Sequence, residues 1–502
     1  MRIKNFDTLI SHGNVKGRKI IAQIIDAALT ATNPYDKMFS LISVKDNKLI
    51  FDDPEMETQG DPRKGPAVYD LNKTKRIFVF AVGKGILYAV KPLEEILGDY
   101  LTGGYAVPKH GDDLSVISDK IKVRSGRHPV PDAEGIQGCR EMMEMIASLD
   151  LTGDDLCITV MGNGCSALAC LPDDSISVEE VEAMNQLTLI DNGMTTEDVS
   201  YLRNSIDQFR GGRVMRAMRP AQIVNLCVVN PEPIYAFADK TKTPYEIVQR
   251  TNMWIPNRAD CTTPAEAVKI AKALGVFDKL SESIQKKLLA DAQKGTTTVH
   301  FDEYESWNAR SFATMPGNRT AVTAGIDKAK ELGLNTYVLH SGIKCESAPT
   351  GTYVGRLIRT QSTQPDSPFK TPCVLFGSGE LIVTTGGENG IGGTNQEFCC
   401  AAAISIEDSK RVVIGAIDTD GTDGPGGDFH PDATAQGINC LTGGIVDGYT
   451  MEETREKGVD LSEALRRHDT SQALWRLDSG IAAVQDTSNG DFHCYLIMDE
   501  DG

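Results

Sequence analysis

Uninterrupted apolar runs alternate along this chain with segments whose apolar positions recur every three or four residues, which predicts a layered α/β fold with a largely parallel sheet. The run RIFVFAV at 76–82 predicts a strand buried on both faces, and the ILYAVKPLEEIL that follows predicts its amphipathic helix. Further strands are expected at 103–107 (GGYAV), 122–126 (KVRSG) and 155–161 (DLCITVM), with a helix from Ala133 before the last of them. Another apolar run, QIVNLCVV, ends at Val229.

Beyond residue 231 the pattern turns helical and polar, and Thr263-Pro264 suit the cap and first position of a helix. The Thr-rich stretch GTTTVHFDEYESW then reads as a connector into a second α/β unit. That unit is expected to hold a helix over 319–332 and strands at TYVLH, TPCVLFG, ELIVTTG, RVVIGAI and HCYLIM. A boundary near residue 300 divides the chain into an N-terminal domain, 1–299, and a C-terminal domain, 300–502.

Composition narrows the function. The 51 Lys plus Arg against 70 Asp plus Glu give a net charge of −19, which argues against binding nucleic acid or an anionic membrane surface. No apolar run is long enough to span a bilayer and the N-terminus lacks a secretory apolar core, so a cytoplasmic protein is expected. The 12 cysteines include no C-x-x-C, and several sit in apolar stretches as reduced, buried thiols.

Ligands of open α/β sheets bind beyond the carboxyl ends of the strands. The first strand there runs into Gly83-Lys84-Gly85, the second into Lys109-His110 and the third into Arg127-His128-Pro129. The fourth runs into Gly162-Asn163-Gly164-Cys165-Ser166. Cations and glycines at one edge make an anion site, in which exposed amide groups and the Ser166 hydroxyl face a phosphate or carboxylate; the glycines alone would also serve a tight strand-to-helix turn. Gly162-x-Gly164-x-x-Ala167 also fits a dinucleotide fingerprint, but the acids about 20 residues on, Glu179, Glu180 and Glu182, fall in a helical pattern, which disfavours nicotinamide. No P-loop motif is present.

His128 is either a ligand contact or an ordinary hydrogen-bonded histidine. Arg203, Arg210, Arg213, Arg216 and Arg219 crowd one segment of an acidic chain, where Arg203 or Arg210 could recognise an anion or the group could form a solvated face. In the second half, GGENGIGGTNQEF leads into a helix with Thr394 or Asn395 as its cap. The loop IDTDGTDGPGGDFHPDA gathers Asp418, Asp420, Asp423 and Asp428. Its spacing excludes an EF-hand and leaves either a Mg²⁺ held with a phosphate or a plain Asx turn.

From about Ile77 onward these pieces, in order, resemble the glycerate 2-kinase family with a C-terminal MOFRL domain, often labelled hydroxypyruvate reductase. VGKG, RHPVPDAEG, GNGCSALACLP, LRNSIDQFRGGRV, GGENGIGGTNQEF and DTDGTDGPGG each look like a family motif, and HDTSQALWRLDSG at 468–480 is similar to the family's late N-D-S segment. The resemblance implies an N-terminal Rossmann-like domain, a second MOFRL-type α/β domain and a cleft between them. It implies phosphoryl transfer from ATP, with Mg²⁺, to the 2-hydroxyl of a small anionic hydroxy acid by a protein that is a candidate homo-oligomer.

Carried onto this chain, the resemblance makes Lys84, Arg210 and Asp423 catalytic and Asp420 and Asp423 metal ligands. Substrate or phosphate would be bound by Gly162, Asn163, Gly164, Cys165, Ser166, His128, Arg203, Asn395, Gln396 and Glu397. The chain differs from the family at Thr394, where the family has Arg, leaving Arg319 or Arg210 to supply that charge; VVNPEPIYAFADKTKTPYE and VQDTSNGDFH also depart from it. The alternatives are a same-fold enzyme acting on another sugar acid or carboxylate without standard ATP use, a hydroxypyruvate reductase, and a non-catalytic ligand-binding relative.

Overall fold

Every residue but the first of RIFVFAVG is buried, because this strand lies at the middle of a sheet covered on both faces. A computed structural model describes residues 1–54, 56–228, 241–295, 297–307, 309–313, 318–388, 390–485 and 490–499. Val229, most of the divergent segment after it and the side chain of Arg319 lie outside the described residues. The chain forms two units, one spanning Pro34–Pro316 and the other combining Met1–Asn33 with Gly317–Gln485 and Asn489–Gly502.

The first unit opens with a small antiparallel sheet of β1 (Ile42–Lys45), β2 (Lys48–Phe51) and β3 (Ala67–Asp70). Its main sheet contains β4 (Arg76–Gly83), β5 (Leu101–Pro108), β6 (Ile121–Val123), β7 (Asp155–Gly162), β8 (Gln222–Val228) and β9 (Ala309–Ala313). All six are parallel, in the order β6-β5-β4-β7-β8-β9. The chain lays strands outward from β4 on one side and then returns to build outward from β7 on the other. The two chain directions part between β4 and β7, and a parallel sheet opens its ligand crevice at such a switch point.

Alternate residues of β4 serve opposite layers. Ile77, Val79 and Ala81 pack with the helix Leu87–Leu97 and the small sheet. Phe78, Phe80 and Val82 pack with the helix Ala133–Ser148 and the helices that follow β7. The cap expected at Thr263-Pro264 is present: the Thr263 side chain accepts from the Glu266 amide and Pro264 opens the helix.

The second unit contains β10 (Asn335–Ile343), β11 (Cys373–Gly379), β12 (Val412–Asp418), β13 (Gly443–Asp447), β14 (Gly480–Ile481) and β15 (Asp491–Ile497). They lie in the order β10-β11-β15-β12-β13-β14, with only the β10–β11 pair parallel. The helix Thr394–Ser405 covers one face. The other is covered by Asn318–Glu331 and by the N-terminal helix Val15–Ala31, whose Arg18 meets Asp447 in a fully buried ion pair.

Two sequence expectations change. ELIVTTG is not a strand: Ile382 forms a single bridge to Glu346, while the amides of Leu381 and Thr384 are taken by the carboxylates of Asp491 and Glu346. Side chains here satisfy the backbone groups that a neighbouring strand would otherwise pair. The five arginines do not form one solvated face either: Arg203 and Arg210 are buried, and glycines 211 and 212, both left-handed, separate the helix Thr196–Ser205 from the short helix Arg213–Ala217 that carries Arg213 and Arg216.

Candidate functional site

At the switch point β4 and β7 end side by side. Gly83 lies so close to Gly162 that a Cβ on it would stand 2.8 Å from the Gly162 Cα. This contact excludes any side chain and lets the two loops touch: the Lys84 amide donates to the Asn163 carbonyl at 2.7 Å. The following Gly164 is left-handed at φ +72°, and its missing Cβ leaves room for the His128 ring and the Lys84 stem. The loops after β4, β6 and β7 therefore meet at one spot, as the sequence pattern predicts.

Asp112, which the sequence reading passed over, ties in the loop after β5. Its Oδ2 accepts from the amides of Gly85 at 2.7 Å and Lys109 at 3.1 Å. Burial pushes its carboxyl upward, against the pull of those amides and the nearby Lys109 and Lys84. The His128 imidazole is held well below its ordinary value, first by burial and then by Lys84, Lys109 and Arg203. A neutral ring beside three cations leaves the site's positive charge available to an anion. His110 is turned outward to Asp132 at 2.8 Å.

The two candidate arginines hold the turn from behind. Arg203, 1% exposed, donates from Nε to Asn185 Oδ1 at 2.7 Å and from Nη1 to the Ser166 carbonyl at 2.9 Å. Its Nη2 is buried with no hydrogen-bond partner, and burial lowers the guanidinium to about 9. Arg210 donates to the carbonyls of Ala167 and Ala169, so it closes the end of the short helix Cys165–Leu168. The Cys165 thiol is fully buried and burial raises it, so it packs as a small apolar group. Asn163, Gly164 and Ser166 keep partial exposure.

In the other unit Asn395, Gln396 and Glu397 are buried on the first turn of Thr394–Ser405. Neither Thr394 nor Asn395 is the cap. Gly393 occupies the cap position, and the oxygen acceptor comes from Asp423, 30 residues further along the chain. Asp423 Oδ1 accepts from Thr394 Oγ1 (3.0 Å), the Asn395 amide (3.1 Å) and Asn395 Nδ2 (3.3 Å), while Oδ2 accepts from the Gln396 amide (2.9 Å). Asn395 Nδ2 also reaches Asp491 at 2.6 Å, and its Oδ1 accepts from His493 Nε2 at 3.1 Å. Glu397 pairs with His468, Oε1 to Nδ1, at 2.6 Å.

These bonds bear on Mg²⁺. A carboxylate offers about two lone pairs on each oxygen, and on Asp423 three donors crowd Oδ1 while one takes a lone pair of Oδ2. Asp420 Oδ1 accepts from the amide and hydroxyl of Thr422 in an Asx turn. Among the described residues no group of three or more His, Cys, Asp or Glu could hold a metal ion. Asp420 and Asp423 thus give most of their acceptor capacity to the fold, and no step of the proposed reaction is assigned to a Mg²⁺ held by them.

Residues 20–230 match the family described as a domain of unknown function, DUF4147, and residues 373–489 match the MOFRL family. A glycerate 2-kinase of Pyrococcus horikoshii is 27% identical over 457 residues, covering 91% of this chain and 92% of its own. A D-glycerate 2-kinase of Thermotoga maritima is 28% identical over 400 residues, covering 80% and 85%. The crystal structure of a glycerate kinase from Thermotoga maritima shares the fold, with a TM-score of 0.65, 24% identity and coverage of 96% of this chain and 99% of that one. The chain therefore joins a DUF4147-family region to a MOFRL-family region and is similar over most of its length to glycerate 2-kinases.

Proposed function

We propose that this protein is a kinase of a small hydroxy acid, transferring the terminal phosphoryl group of ATP to a 2-hydroxyl, with glycerate as the first substrate to test. The observation that carries this reading is the anion site at the β4–β7 switch point, where Lys84 is fixed by a backbone bond to the Asn163 turn and flanked by Lys109, Arg203 and a neutral His128. The names of the relatives point to the same chemistry.

Phosphoryl transfer asks little covalent chemistry of the protein and much positioning of charge. The Lys84 ammonium offsets the negative charge on the moving phosphoryl group. The turn 162–166 offers amide groups and the Ser166 hydroxyl to phosphate or to the substrate carboxylate. Cys165 fills space beneath that turn, and Arg210 acts as a positioning residue that braces it. Arg203 braces Ser166 while presenting Nη2. Asn395, Gln396 and Glu397 belong to a separate cluster on the other unit, organised by Asp423.

The test is phosphorus NMR of ATP with D- or L-glycerate and the wild-type protein. The reading expects a new phosphomonoester resonance, split by the C2 proton of 2-phosphoglycerate, with stoichiometric ADP. ADP without a phosphomonoester, or no turnover of either enantiomer or of related hydroxy acids, contradicts it.

A further inference from the structure

The parallel ladder between β4 and β5 ends at the pair Gly83–Pro108. On the other side of β4 the ladder pairs Val82 with Met161 of β7, and the Lys84 amide continues that side with its bond to the Asn163 carbonyl. Between the β4 and β5 loops the joint is a side chain. Asp112 Oδ2 takes the amide of Gly85, just past β4, at 2.7 Å and that of Lys109, just past β5, at 3.1 Å. Lys84 is thus bonded on both flanks, to the β7 loop through its own amide and to the β5 loop through the amide that follows it.

The sequence Lys109-His110-Gly111-Asp112 builds this joint. The Asp112 amide donates to the Lys109 carbonyl at 3.1 Å, and Gly111, left-handed at φ +89°, fills the third position of the turn. The turn brings the Asp112 carboxylate back over its own first residue. The His110 amide donates to the Gly126 carbonyl at 2.8 Å, which holds the turn against the loop after β6. Gly85 is buried, so its amide needs an acceptor from the protein, and the helix Leu87–Leu97 starts from Ile86, which has no side-chain acceptor. Asp112 also stands near Lys109 and Lys84, which draw its carboxyl down, while burial, the larger influence, raises it. A negative charge beside an anion site opposes anion binding, so the two hydrogen bonds, not the charge, account for a carboxylate here.

We propose that Asp112 is a positioning residue of the anion site: anchored on the Lys109 amide, its Oδ2 fixes the peptide after Lys84 and so sets where the Lys84 ammonium meets the anion. Every residue involved lies in the first unit. The effect on turnover rests on the kinase reading, and the effect on anion binding does not.

Asp112→Ala and Asp112→Asn remove the same charge, but the Asn side-chain oxygen still accepts both amides, so comparing the two isolates the bonds. In calorimetric titrations with inorganic pyrophosphate, Asp112→Asn should bind at least about fivefold more tightly than Asp112→Ala; equal affinities overturn the proposal. In steady-state assays kcat of Asp112→Ala should lie roughly 10–10²-fold below that of Asp112→Asn. In a Lys84→Met background the same exchange should change kcat by less than about threefold, because its effect passes through Lys84. The full loss in that background would mean that Asp112 supports the fold alone, and overturns its positioning role. Hydrogen exchange in the wild-type protein needs no variant: the Gly85 amide should exchange at least about tenfold more slowly than in an unfolded chain, and free exchange there overturns the proposal. Absence of phosphoryl transfer by the wild-type protein overturns the kinase reading, and the pyrophosphate comparison then decides the role of Asp112.

Discussion

Asp423 shows what a single residue of a glycine-rich loop can do. An aspartate in D-T-D-G-T-D-G reads equally as a metal ligand and as an Asx turn, because sequence records only that a carboxylate is present. The structure spends that carboxylate on the helix Thr394–Ser405, whose own cap position is a glycine. No local rule finds a cap supplied by a loop beyond the helix. Asp423→Ala leaves two buried amides and two side-chain donors without their acceptor, and should cost about 2–4 kcal/mol, measurable as a lower urea midpoint. Asp423→Asn keeps one acceptor oxygen and should cost less. Wild-type stability in Asp423→Ala would show that the helix is capped otherwise. Lys84 is proposed for the opposite reason: a lysine between glycines at the end of a buried strand has few structural uses.

Among elements, β4 and β7 carry the account, because their carboxyl ends bear the two loops of the anion site. Their other ends are clamped: Arg76 donates from Nε and Nη2 to the two oxygens of Asp155 at 2.9 and 2.8 Å, and the Thr152 amide joins at 2.7 Å. The Arg76 hydrogen bonds, opposed by burial, lower the Asp155 carboxyl to about 2 from 3.8. A carboxyl lowered on folding stabilises the fold above its unfolded value and loses that contribution as pH falls through the folded one. Asp155→Asn should therefore cost about 1–2 kcal/mol at pH 7, reduced by the partial exposure of Arg76, and the gap to wild type should narrow between pH 4 and pH 2. Chemical denaturation across that range is the check; a gap independent of pH would contradict the pairing.

These strands were legible as strands because burial on both faces leaves an unbroken apolar run. ELIVTTG has a shorter apolar run and lies where carboxylates take the amides of Leu381 and Thr384. The short strands β13 and β14, GGIVD and GI, carried too little pattern to be found.

At the scale of the whole molecule, the least legible feature is the N-terminal segment. Its helix Val15–Ala31 packs on β12, β13 and β15, and Arg18 pairs with a residue 429 positions away. Amphipathic spacing shows that such a helix has a buried face but not which sheet it covers. The order of the second sheet is equally nonlocal, with the last long strand inserted between β11 and β12. The glycines and cations of the proposed site were easier to read than the topology, because they follow their strands directly. Against a net charge of −19, the cations gathered at the switch point are the proposed landing place for a small anion.

The most direct test of that site is Lys84→Met, which keeps the apolar stem and removes the charge, measured for kcat and for ATP and glycerate KM beside the wild type. A loss of 10²-fold or more in kcat, with a thermal midpoint close to that of the wild type, is the result expected of a cation that acts on the transferring group. An unchanged kcat in the folded variant would mean that the β4–β7 edge does not carry the chemistry.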